Sequence, residues 1–132
     1  MTQAVVYVTR RDRITGYSVV GHAQSENTGG DVICAAVSAL AQSTVNSLAG
    51  VAGVTPHVLR KPGMLVVRIS KTSGMRWHDA QIILRSCTLG LTRLADQFPA
   101  FVRVRCKLDE PAASGINKRR KEARYGGLHN RH

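Results

Sequence analysis

Residues 21–40 read GHAQSENTGGDVICAAVSAL. From Ile33 onward, Ala36, Val37, Leu40, Ala41, Thr44, Val45 and Leu48 recur at three- and four-residue steps, the period of a helix with one buried face. Such a helix begins near Asp31, whose carboxylate is suited to an N-cap, and this places Cys34 in the first turn. Oriented amides there favour an anion, and an imidazolium nearby favours it further. His22 stands at the other end of the stretch, after a segment read as a strand. Together these residues suggest a cysteine nucleophile with a histidine partner. Each has a plainer reading alone: Cys34 as a small core residue, His22 bonded to backbone or water, and Asp31 as a cap and nothing more. The small residues around them favour the joint reading. Gly21 precedes the histidine, Gly29 and Gly30 precede the aspartate, and Ala35 and Ala36 follow the cysteine, as close approach of a helix to a sheet requires.

Outward from that centre, residues 4–9 and Ile14 to Val20 are β-branched and aromatic and flank the polar Arg10-Arg11-Asp12-Arg13, which predicts a hairpin. The helix is expected to stop at Gly50 and Gly53. Val54 to Leu59 and Met64 to Ile69 then form a second hairpin around Arg60-Lys61-Pro62-Gly63. Pro56 donates no ladder bond, so its strand is expected at an edge, where an extended peptide can add or only solvent is met. A second helix runs from about Trp77, with Ala80, Ile83, Leu84, Cys87, Leu91, Leu94 and Phe98 on one face, until Pro99 ends it. The strand Phe101 to Cys106 follows. Cys87 and Cys106 read as packing residues, and His57 and His78 as surface chemistry. The fold class is α+β, two helices packed on one mixed β-sheet in the order β-β-α-β-β-α-β.

Gly21-His22-Ala23, followed by Gly29-Gly30-Asp31-Val32-Ile33-Cys34-Ala35-Ala36-Val37-Ser38-Ala39-Leu40, resembles the signature of the ribosomal-processing cysteine proteases, the Prp family. The likeness extends over about Gln3 to Lys107, including Asp96-Gln97-Phe98-Pro99 and the strand after it. It implies a protease that removes a short N-terminal extension from a bacterial large-subunit ribosomal protein, cutting after an aromatic residue for which an apolar pocket is needed. It also implies a homodimer and no cofactor. In that chemistry Cys34 attacks the peptide carbonyl, His22 serves as base and acid, and first-turn amides, that of Cys34 included, stabilise the oxyanion. Asp31 either caps the helix or orients His22. Ser38, one turn beyond Cys34, either bonds a site group or bonds back to its own helix. Residues 23–30 are either an ordinary connection or a lid hinged at Gly29 and Gly30.

Length and charge set the remaining expectations. The chain has 132 residues, enough for one ordinary domain, expected over 1–108, with a linker and basic tail over 109–132. The three cysteines have neither disulfide-framework nor metal-ligand spacing, so no metal site is expected. No run reads as a membrane span, and Met1 to Tyr7 has no secretory character, so a cytoplasmic protein is expected. Residues 116–132 hold six Lys and Arg against Glu122, a net +5 of the total +11. Lys118, Arg119, Arg120 and Lys121 are therefore candidate contacts to ribosomal RNA phosphates, from a tail expected to be disordered alone. A non-enzymatic ribosome- or RNA-binding module accounts for this charge, but it leaves the Gly-His-Ala and Cys-Ala-Ala-Val-Ser spacing without a purpose.

Overall fold

The computed structural model describes residues 1–21 and 29–109. The elements are β1 (Thr2–Val8), β2 (Ile14–Val20), α1 (Gly30–Gly50), β3 (His57–Lys61), β4 (Met64–Arg68), α2 (Gly74–Gln97) and β5 (Val102–Leu108). The strands form one mixed sheet in the order β3-β4-β2-β1-β5. Only the β1–β5 pair is parallel, with Thr2 opposite Val102 and Val8 opposite Leu108. The expected α+β class and element order hold.

One sheet face carries both helices. Ala4, Val6 and Val8 alternate with more exposed residues along β1, as do Val102, Val104 and Leu108 along β5; with Tyr17, Val19 and Val67 they meet the buried stripes of the helices. From α1 come Ile33, Val37, Ala41, Val45 and Leu48; from α2, Ala80, Leu84, Cys87 and Leu91. At the helix crossing, a Cβ on Gly90 would stand 2.7 Å from Leu40 Cδ2, so a glycine there allows close contact. Among the buried polar side chains, Tyr17 and Gln81 tie separate elements together. Tyr17 donates its hydroxyl to the Ala41 carbonyl at 2.7 Å. The Gln81 side chain accepts from the Ile14 N–H and donates to the Ile14 carbonyl, both at 2.8 Å, which fastens α2 to the sheet beside the irregularity at Tyr7 and Val8.

Several boundaries differ from the sequence reading, each for a tertiary reason. β1 starts at Thr2 because β5 pairs with it from there, and the Thr2 N–H also donates to the Phe101 carbonyl. Val54 is not in β3: its N–H donates to Leu48 at the end of α1, so the strand begins only after Pro56. β3 is an edge strand, as expected. α2 begins three residues before Trp77, with Ser73 as N-cap. Asp109, placed in the linker by composition, belongs to the domain. Its N–H donates to Val8, and its carboxylate takes a hydrogen bond from Thr15 and an ion pair from Arg68 at 2.8 Å. Burial alone would raise the pKa of this carboxyl, but the Thr15 hydroxyl and the Arg68 guanidinium, with the charge of Lys107, outweigh it and hold it below the usual carboxylate value. The basic tail, with Lys118, Arg119, Arg120 and Lys121, lies outside the described residues.

The expectation that no run could span a bilayer needs correction. α1 is long and apolar enough by length and composition, with a mean hydropathy of 1.5. Its alanines raise that value, while its buried stripe is packed on the sheet and α2.

Candidate active site

The end of β2, the start of α1 and the β3–β4 turn converge on one cleft. The Gly21 N–H donates to the Gly63 carbonyl at 2.9 Å, joining the end of β2 to the turn. Gly63 has φ +74, and a Cβ there would stand 2.7 Å from the Gly21 carbonyl oxygen, so the position demands glycine on both counts. On the other side of Gly21 is the thiol of Cys34. A Cβ on Gly21 would stand 3.1 Å from Cys34 Sγ and 3.2 Å from Thr2 Oγ1.

Cys34 is half-buried and borders a cleft of about 280 Å³. Val19, Ala41, Met64 and Leu65 give it an apolar lining, and Ser38, Gln42, Arg60 and Lys61 supply polar groups. Arg60 is held in place by a 2.6 Å hydrogen bond to the Gln42 side chain, linking the edge strand to α1. The cleft therefore combines a thiol and an apolar recess beside β3, which has no second strand partner among the described residues. Such an arrangement can hold an extended peptide by main-chain hydrogen bonds while one side chain enters the recess.

The Prp cysteine protease family profile matches residues 1–103. The chain belongs to this family. It is a cysteine protease. No curated protein sequence matches it. Among solved structures, SMU.848 from Streptococcus mutans is 28% identical, with a TM-score of 0.73 over 83% of this chain and 96% of that one. The essential ribosomal processing protease Prp from Staphylococcus aureus, in complex with a substrate peptide, is 22% identical with a TM-score of 0.73, over 81% of this chain and all of that one. The same protease with a covalently linked product peptide is 24% identical, with a TM-score of 0.71 and the same coverage. The two peptide-bound structures share the fold of this Prp-family chain.

Of the residues singled out in the sequence, Cys34 and Ser38 meet in the cleft, and Ser38 is exposed there. His22 and the loop 23–28 lie outside the described residues. Asp31 is not the N-cap. Gly29 holds that position with no side-chain cap, and Asp31 is an exposed second helical residue whose charge suits the positive end of α1. The two-residue shift of the cap, from Asp31 to Gly29, also removes Cys34 from the first turn. In a helix starting at Gly30, the Cys34 N–H is used by the Gly30 carbonyl, so the amides without a helical partner are those of Gly30, Asp31 and Val32. Gly29 has ordinary right-handed backbone and Gly30 is buried as the first helical residue, so neither carries the positive φ that would mark a glycine hinge. Cys87 is buried and Cys106 half-buried, and burial pushes both thiols above their ordinary value, as befits packing residues. Among the described residues no three side chains of metal-ligating type converge.

Sequence reasoning missed Gly63, Met64, Leu65 and Arg60 as site residues. They reach the cleft only through the pairing of β4 with β2 and, for Arg60, of β3 with β4. The glycine after Pro62 marked a turn, but nothing local said what that turn faces.

Proposed function

We propose that this protease removes a short N-terminal extension from a large-subunit ribosomal protein, with Cys34 as nucleophile and His22 as its base and acid. The observation that carries the reading is the packing of the Cys34 thiol against Gly21 at the rim of an apolar cleft beside an edge strand. His22 directly follows Gly21 in the chain, the residue on which the thiol packs, and this adjacency in sequence supports the pairing. The S. aureus protein with this fold is a ribosomal processing protease bound to a substrate peptide, which supports the same substrate class here.

In the reaction, the scissile peptide lies extended along β3 with an apolar side chain in the recess. The Cys34 thiolate adds to the carbonyl carbon, and the oxyanion takes hydrogen bonds from the free amides of Gly30, Asp31 and Val32. Imidazolium at His22 gives its proton to the leaving amine as the C–N bond breaks. Water, deprotonated by the same imidazole, then hydrolyses the thioester and restores the thiol. Ser38 borders the incoming chain. The enzyme acts in the cytosol as a homodimer, and the tail, through Lys118, Arg119, Arg120 and Lys121, holds it near ribosomal RNA.

Incubating the full chain with the precursor ribosomal protein from the same genome tests the reading. The expected result is one cut near the precursor's N-terminus, absent with Cys34→Ala. An untouched precursor, or cutting that survives Cys34→Ala, rejects it.

A further inference from the structure

At the end of the sheet opposite the cleft, the β1–β2 turn and the start of α2 enclose a second polar surface. The turn is built rigidly. The Thr9 N–H donates to the Arg13 carbonyl at 2.8 Å, Thr9 Oγ1 accepts from the Arg11 and Arg13 amides, and Asp12 takes the left-handed conformation with φ 58. It projects Arg10, Arg11 and Arg13 beside Lys71 and Trp77 around a cavity of about 410 Å³. A neighbouring cavity of about 490 Å³ shares Arg13 and Trp77 and continues along α2 past His78 to Arg85, with Asp12 on its border. Along this track five Lys and Arg meet one acidic side chain. Asp109, adjoining through Thr15, is already paired with Arg68.

We propose that this track binds a single-stranded segment of RNA, its phosphates on Arg11, Arg13, Lys71 and Arg85 and a base stacked on Trp77. Cations spaced around an aromatic ring are what a flexible polyanion with flat bases requires: phosphates supply affinity, and the ring accepts any base face. An acidic peptide would use the charges but has no planar group for the indole. Trp77 is half-buried and packed against the core, which fixes its ring at little entropic cost on binding. β2 separates this surface from Cys34 by its seven residues, roughly 20 Å. RNA and peptide can therefore be held together.

Trp77 is the sole tryptophan of the chain, so its emission reports on this surface and not on the basic tail. Titrating the full chain with a twelve-nucleotide single-stranded RNA should quench that emission. In the full chain carrying Arg11→Ala, Arg13→Ala and Lys71→Ala, affinity should fall about tenfold and the salt slope should flatten by roughly 2, given ~0.7 per phosphate contact. Peptide cleavage should be unchanged. A chain with Lys118, Arg119, Arg120 and Lys121 replaced by alanine should keep the quench. The proposal is overturned by saturating RNA that leaves Trp77 emission untouched, by unaltered affinity and slope in the triple variant, or by polyglutamate competing as well as RNA. Anionic phosphatidylserine vesicles quenching where RNA does not would overturn it too. Cleavage plays no part in these readouts, so the result stands apart from the substrate assignment above.

Discussion

Cys34 Sγ packs so closely on Gly21 that a Cβ at residue 21 would stand 3.1 Å from the sulfur. The end of β2 therefore sets where the Cys34 thiol sits. Gly21→Ala should displace the thiol by a few tenths of an ångström, lowering kcat/KM at least ~tenfold while costing roughly 1 kcal/mol of stability. Steady-state kinetics beside thermal melts will separate the two effects. Turnover equal to the parent's would mean that Gly21 does not position Cys34.

On the proposed pairing, His22→Ala should remove most turnover and slow alkylation of Cys34 near neutral pH, since the variant lacks the imidazole that would assist the thiol and protonate the leaving amine. Cys87 is buried, and its thiol and that of Cys106 are raised by burial, so both should alkylate far more slowly than Cys34 in the native chain. Mass mapping of iodoacetamide adducts across a pH series checks each site. If His22→Ala left rate and profile alone, the two residues would not be partners.

Gln81→Ala should destabilise the domain by about 1–3 kcal/mol, since it leaves the buried Ile14 N–H and carbonyl without their side-chain partner. Because Gln81 lies far from the cleft, peptide cleavage at low temperature should persist. Chemical denaturation measures the loss; a shift within error would show that solvent replaces both bonds freely.

Stability should decline as pH rises past roughly 9. Burial keeps the Tyr17 phenol and the Cys87 and Cys106 thiols protonated beyond their ordinary values. The unfolded chain ionises at those ordinary values, so in this range it binds fewer protons than the folded one. The stabilisation is complete below the unfolded values and lost as pH climbs through the folded ones. Melting temperatures at ~pH 8 and ~pH 10 should differ, and Cys87→Ala should narrow the gap. Equal melting temperatures would contradict the assignment.

The parts legible in the sequence were those governed by neighbours along the chain. The stripe Ile33 to Leu48 gave α1, β-branched and aromatic composition gave β2 at its observed limits, and the backbone chemistry of Pro56 gave an edge strand. Where a distant partner decides, local reading stopped short. β1 gains Thr2 and Gln3 from β5, Val54 is drawn away by Leu48, and the walls of the cleft at Gly63 to Leu65 arrive only by strand pairing. Asp31 illustrates a different limit. Both it and Gly29 are acceptable helix caps, and the two-residue difference between them decides whether the Cys34 amide is free. Gln81 interrupted an apolar face, and its purpose became apparent only opposite Ile14.

The parallel pairing of Thr2–Val8 with Val102–Leu108 joins the first described strand to the last. During synthesis β1 emerges early, yet one of its two edges has no partner until residue 108 has been added, and loop closure across that separation makes this pairing slow. A nascent chain halted before β5 exposes that edge, together with the apolar face that Val102, Val104 and Leu108 help to complete, to association with other chains. The sheet, and with it the frame of the cleft, becomes whole only once β5 has been made.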